Sequence, residues 1–168
     1  MNVLKFNPTS EYNEPGYQTG TVKNSKVHKY DRNLIKVDSQ YYFEAKIEMP
    51  CYLGQNINIS RSKIDANFVL ASHCELFKCV IGENTQVMEG CHIEDVTLGS
   101  NVIVMPRIKI TNCIIGNNVT IRRENKDRKI VNGLPTVLGW FPELKGVSVP
   151  DNSVVKVMCD NSHTITSK

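Results

Sequence analysis

What this chain lacks narrows its function first. No apolar run in its 168 residues approaches the roughly eighteen needed to cross a bilayer, which excludes a membrane-spanning helix. Residues 1–10 hold neither the apolar stretch nor the small-residue cleavage site of a secretory signal, so the expected compartment is the cytoplasm. Charge of one sign is also scarce. Twenty basic against 17 acidic residues leave a net charge of +3, too little to point to nucleic acid by itself. The 6 cysteines form no CxxC pair and no Cys/His spacing suited to zinc, so no metal is expected. A chain of this length holds one domain with room for a core.

What is present is a repeat. Ile81-Gly82, Leu98-Gly99 and Ile115-Gly116 recur seventeen residues apart, and the period extends upstream through Ile64 to Ile47. Each unit divides into steps of six, six and five. The resulting positions are all Ile, Leu or Val: Ile47, Leu53, Ile59, Ile64, Leu70, Leu76, Ile81, Val87, Ile93, Leu98, Val104, Ile110, Ile115 and Ile121. A second set is apolar or small: Cys51, Ile57, Ser62, Phe68, Cys74, Cys79, Thr85, Cys91, Val96, Val102, Ile108, Cys113 and Val119. Two inward residues flanking one outward residue is strand alternation, and the gaps between such pairs are corners. Three short strands and three bends per coil make a triangular prism, an all-β fold of about five coils and roughly 24 Å height. Asn67, Asn84, Asn101 and Asn118 mark one corner, where Asn tolerates a left-handed backbone and could bond from coil to coil. Gly82, Gly99 and Gly116 beside them are expected to share that conformation.

The predicted organisation is an N-terminal extension over residues 1–46, the β-helix over 47–121, a charged loop and terminal turn over 122–157, and a polar tail over 158–168. Within the extension, pieces around residues 34–37 and 41–43 read as strands. Residues seventeen apart should lie one above another, which turns the sequence into a surface map. Glu75, His92 and Lys109 share an outward column, where His92 could act as a general base or lace a solvated face. His73 shares a column with Asn56, Gly90 and Arg107, a corner able to receive an anion. Arg107 and Lys109, with Arg122, Arg123, Arg128 and Lys129 of the charged loop, are the candidate anion-binding residues. The column of Tyr52, Val69, Gln86, Ile103 and Thr120 is apolar for a solvated face; with Met88 and Met105 beside it, it reads as a subunit interface. Cys51, Cys74, Cys79, Cys91 and Cys113 fall inward, as reduced thiols. The segment 133–142 carries the only Trp, Trp140, and could cover the prism end or wall a ligand site.

Coils of this length resemble the left-handed β-helix of hexapeptide-repeat proteins, and the left hand is implied by that resemblance alone. The segments Leu76-Phe-Lys-Cys-Val-Ile-Gly82, Ile93-Glu-Asp-Val-Thr-Leu-Gly99 and Ile110-Thr-Asn-Cys-Ile-Ile-Gly116, with the return through Lys145-Gly146-Val147, resemble the C-terminal β-helix of sugar-nucleotide pyrophosphorylases, especially ADP-glucose pyrophosphorylase. That domain supports assembly and regulation, while a separate Gly-rich nucleotidyltransferase domain performs the transfer. The resemblance therefore implies a non-catalytic oligomerisation or binding module without a cofactor, with a nucleotidyltransferase-domain protein or a larger assembly as partner. Val149-Pro-Asp-Asn-Ser-Val-Val155 resembles the closing turn of trimeric hexapeptide acyltransferases. That alternative implies acetyl-CoA as cofactor and His92 or His73 as the base acting on a sugar hydroxyl or amine. The γ-class carbonic anhydrases share the fold but need three converging histidines, and only His73 and His92 lie on the coils, in different columns. A rigid prism with a polar N-terminal arm also suits a structural or virion-decorating subunit.

Overall fold

Inward aliphatics at a seventeen-residue period can be buried together only if the chain winds around them, and it does. The computed structural model describes residues 44–48, 51–124 and 141–168 in full, and the backbone of 4–5, 16–19, 21–25, 40–43, 130–131 and 134–135. The fold is all-β, a parallel β-solenoid with three sheets as the faces of a prism. Sheet one stacks Cys51–Leu53, Phe68–Leu70, Gln86–Val87, Ile103–Val104, Thr120–Glu124 and Ser153–Met158. Sheet two stacks Gln40–Phe43, Ile57–Ser60, Glu75–Phe77, His92–Glu94, Lys109–Thr111 and Glu143–Lys145. Sheet three stacks Ala45–Glu48, Lys63–Ile64, Val80–Ile81, Thr97–Leu98, Ile114–Ile115 and Ser148–Val149. The register is the one the period predicts: Ile64 pairs with Ile81, Ile81 with Leu98, and Leu98 with Ile115.

All fourteen period-setting aliphatics are buried, and the second inward set is buried with them. That second set does more than fill space. Cys74 Sγ donates to the Met88 carbonyl at 3.1 Å, Cys79 to Ile93 at 3.3 Å, Cys91 to Met105 at 3.2 Å, and Thr85 Oγ1 to Gly99 at 3.0 Å. A small residue with one S–H or O–H donor thus ties one storey to the next near a corner and gives a carbonyl there a partner. The six cysteines are free thiols. Burial pushes Cys51 up to about 12 and Cys79 up to about 11, so neither supplies a thiolate near neutrality. The hydrogen bond with Cys91, together with burial, holds Cys74 far above the usual thiol range.

The three corners share one backbone solution. Asn67, Asn84, Asn101, Asn118 and Asn152 have φ between 55 and 59°. Their amides form a ladder at its upper end, Asn101 Nδ2 donating to Asn118 Oδ1 at 3.1 Å and Asn118 Nδ2 to Asn152 Oδ1 at 3.0 Å. The second corner places Asn56, His73, Gly90 and Arg107 at φ of 51, 60, 73 and 60°. The third places Glu44, Arg61, Lys78, Asp95, Asn112 and Gly146 there, at φ of 49 to 66°. Left-handed backbone costs an ordinary L-residue roughly 1–2 kcal/mol, so the latter two corners carry strain that Asn and Gly largely avoid.

Gly82, Gly99 and Gly116 correct the expectation made for them. They are absent from the positive-φ positions, and their role is vertical clearance. A Cβ on Gly82 would sit 2.7 Å from the carbonyl carbon of Gly99, in the storey above. The sequence signal was right about the corner but wrong about the reason.

Stacking begins earlier and ends later than the period alone indicates. Gln40–Phe43 pairs parallel with Ile57–Ser60, extending the coils below residue 47. Thr120–Glu124 is strand, so Arg122 and Arg123 lie on sheet one; the charged stretch from Asn125 to Lys129 is outside the described residues. After this insertion the winding resumes thirty-four residues on, twice the period. Ile110 pairs with Leu144, Ile115 with Val149 and Ile121 with Val155. The edges are then covered. Gly16–Thr19 and Thr21–Ser25 pair antiparallel with Cys51–Leu53 and Ala45–Glu48. His163–Ser167, within the stretch read as a polar tail, pairs antiparallel with Ser153–Met158. Covered edges keep an open parallel stack from adding further chains. The piece around 34–37 and, of the Trp140 segment, residues 133 and 136–140 lie outside the described residues. No described helix is long and apolar enough to cross a membrane.

Candidate functional site

The two histidine columns are adjacent, one on the corner between sheets one and two and the other on sheet two, and that brings them together. His73 on the corner and His92 on sheet two line a single open groove of about 600 Å³, with Asn56, Glu75, Gly90, Cys91, Lys109 and Phe141. Its notch is made by Gly90. This is the one corner position in its column without a side chain, and a Cβ there would meet the Arg107 Cγ at 3.3 Å and the Phe141 ring at 4.0 Å. Phe141 is 49% exposed at the rim, and its aromatic face makes one wall apolar.

The other wall is an ordered charge ladder. On sheet two Tyr41, Asn58, Glu75, His92, Lys109 and Glu143 follow one another in register. His92 donates Nδ1–H to Glu75 Oε2 at 2.9 Å, and its Nε2 lies 3.6 Å from Glu94 Oε2. The Glu75 hydrogen bond raises the His92 pKa above 6.5, opposed by partial burial and helped by Glu94. Above it, Lys109 Nζ lies 3.4 Å from Glu143 Oε1, which also accepts from Thr111 Oγ1 at 2.8 Å. That hydroxyl, more than the lysine, holds the Glu143 carboxyl below its usual range.

This geometry bears on the two roles open to His92. A general base presents a free imine nitrogen to its substrate. Here both ring nitrogens face carboxylates, which favours the imidazolium and a place in the ladder. His73 is the exposed histidine of the groove. Of the anion candidates, Lys109 lines the groove and Arg107 occupies the corner one storey above Gly90. Arg122 and Arg123 lie apart from it, opposite Lys156 and Val157 on sheet one. Arg123 Nε is buried with no hydrogen-bond partner among the described residues. Arg128 and Lys129 lie outside the described residues. Among the described residues no cluster of His, Cys, Asp or Glu is arranged to hold a metal.

The interface candidates fall where the period puts them. Tyr52, Val69, Gln86, Ile103, Thr120 and Val154 form one outward column of sheet one. Tyr52 is 44% exposed and Met105 40%, while Val69, Met88 and Ile103 are partly covered. Sequence reasoning missed the exposed Val80 and Ile114 of sheet three; Phe141 of the groove lies in the segment 133–142 expected to cover the prism end or wall a ligand site. The first two lie in one column and were legible from the period. Phe141 and Glu143 were not, because the insertion displaces them by a second period.

No protein-family model matches the chain, and no curated protein matches it either.

Proposed function

We propose that this protein is a non-catalytic oligomerising and binding module of the kind seen in the C-terminal β-helix of sugar-nucleotide pyrophosphorylases, self-associating, as a trimer, through sheet one. The observation that carries this reading is the column from Tyr52 to Val154, interrupted only by Gln86 and Thr120 and flanked by Met88 and Met105. Such a strip, on a face kept flat by stacked parallel strands, gives neighbouring copies an apolar surface to cover. The fixed ladder around His92 supports a binding role for the groove more than a proton-transfer role. A nucleotidyltransferase-domain protein is the partner class this reading implies. Light scattering on the full chain tests it: the mass should be a multiple of the 19.0 kDa protomer and fall to one protomer in a Tyr52→Asp, Ile103→Asp variant. A wild-type monomer would end the reading.

One observation favours a second reading, acyl transfer from acetyl-CoA. Both histidines line the same groove, and His73 would be the base at its mouth. Acetyl-CoA turnover abolished in His73→Ala would establish it; no turnover with any sugar or amine acceptor would remove it.

A further inference from the structure

A second groove, on the corner between sheets two and three, has a different character. It measures about 500 Å³ and is lined by Glu44, Lys46, Arg61, Ser62, Lys63, Lys78, Cys79 and Val80. Four of these are cations and one is an anion. Lys46 and Lys63 sit directly above one another in register on sheet three. Arg61 and Lys78 follow one another at the corner, both in left-handed backbone at φ of 50 and 51°.

Two features of this cluster are unfavourable to folding. Like charges directly opposite on neighbouring strands repel. The corner conformation that Asn fills at every described storey of the Asn67 corner is here taken by Arg and Lys, which gain nothing from it. Each cation does reach a carboxylate: Arg61–Glu44 at 3.2 Å, Lys46–Glu48 at 3.3 Å, Lys63–Asp65 at 3.5 Å and Lys78–Asp95 at 3.7 Å. These pairs are solvent-exposed and individually weak, and only Glu44 faces the groove. Strain and repulsion concentrated on one small concave site point from structure toward a ligand.

We propose that this corner groove binds a small molecule carrying two or more closely spaced phosphoryl groups. Four flexible cations arrayed over three storeys about 4.8 Å apart can each meet a separate oxyanion. The volume suits one small ligand rather than a polymer. Among the described residues no aromatic side chain lines the groove for base stacking, which separates it from a single-strand nucleic-acid track. The site is independent of the sheet-one interface and of the histidine groove.

Calorimetric titration of the full chain with inorganic tripolyphosphate, beside thermal melts in sodium chloride of matched ionic strength, tests the assignment. Saturable binding is expected, with a rise in melting temperature that sodium chloride does not reproduce. Lys63→Gln and Lys78→Gln should each weaken binding about tenfold, and Lys156→Gln on sheet one should leave it unchanged. Lys63→Gln alone should raise the melting temperature at low salt by relieving the Lys46–Lys63 repulsion, which also shows that the variant folds. Absence of saturable binding, equal stabilisation by sodium chloride, or full affinity in the Lys63→Gln, Lys78→Gln double variant would each overturn the proposal.

Discussion

Two corners of the prism make the same turn with different residues. At one, Asn fills every described storey from Asn67 to Asn152, and its amides bond vertically. At the other, the same backbone angles are held by Glu44, Arg61, Lys78, Asp95, Asn112 and Gly146. The turn therefore does not choose its residue. Where geometry is the only demand, the cheapest side chain recurs; where charged residues stand in a strained conformation, something besides the turn is being served. The first corner teaches how the solenoid is built, and the second where to look for what it binds.

The largest effect should come from the column beside the Asn corner. Gly82→Val would drive a side chain into the Gly99 backbone and should cost about 3 kcal/mol or more in denaturant unfolding, or prevent folding altogether. An unchanged melt would show that the storeys are further apart than described. Next, Asn118→Ala removes both amide bonds and puts Ala in left-handed backbone, a loss of about 2–3 kcal/mol. At the charged corner the sign should reverse. Arg61→Asn and Lys78→Asn should each stabilise by about 0.5–1 kcal/mol, since Asn suits the angle and the ion pairs given up are weak. Destabilisation there would mean the charge ladder itself holds the corner.

The smallest effect belongs to the Glu75–His92 pair. Because His92 titrates above 6.5 in the folded chain, its contribution to stability is fully present below about pH 6.5 and fades as pH rises through the folded value. Glu75→Gln should lower the His92 titration midpoint, read by NMR of the ring protons, and flatten that part of the stability profile. An unmoved midpoint would assign the raised value to Glu94 instead.

The repeat made most of the fold legible. Once Ile64, Ile81, Leu98 and Ile115 are aligned, each inward and outward column follows, because a parallel stack repeats its environment every storey. The period alone places Glu75, His92 and Lys109 in one column. Three things escaped. The glycines were misread because a conformational need and a clearance need leave the same residue in the sequence. Arg61 and Lys78 fall in gaps between inward pairs, but neither residue type signals the left-handed backbone that each adopts there. His73 and His92 belong to separate columns, as the period indicates, but a corner column and the sheet column beside it can share a groove, and Phe141 completes that groove only after an insertion that interrupts the count.

The most direct test of the stacking is solution NMR of the backbone. Cross-strand contacts should link Val69 to Gln86 and Gln86 to Ile103, seventeen residues apart, and then jump to thirty-four between Ile115 and Val149. Parallel contacts at any other separation among the coil strands from Cys51 to Val155, or contacts only between near neighbours in the chain, would contradict the storeyed prism on which every assignment above is built.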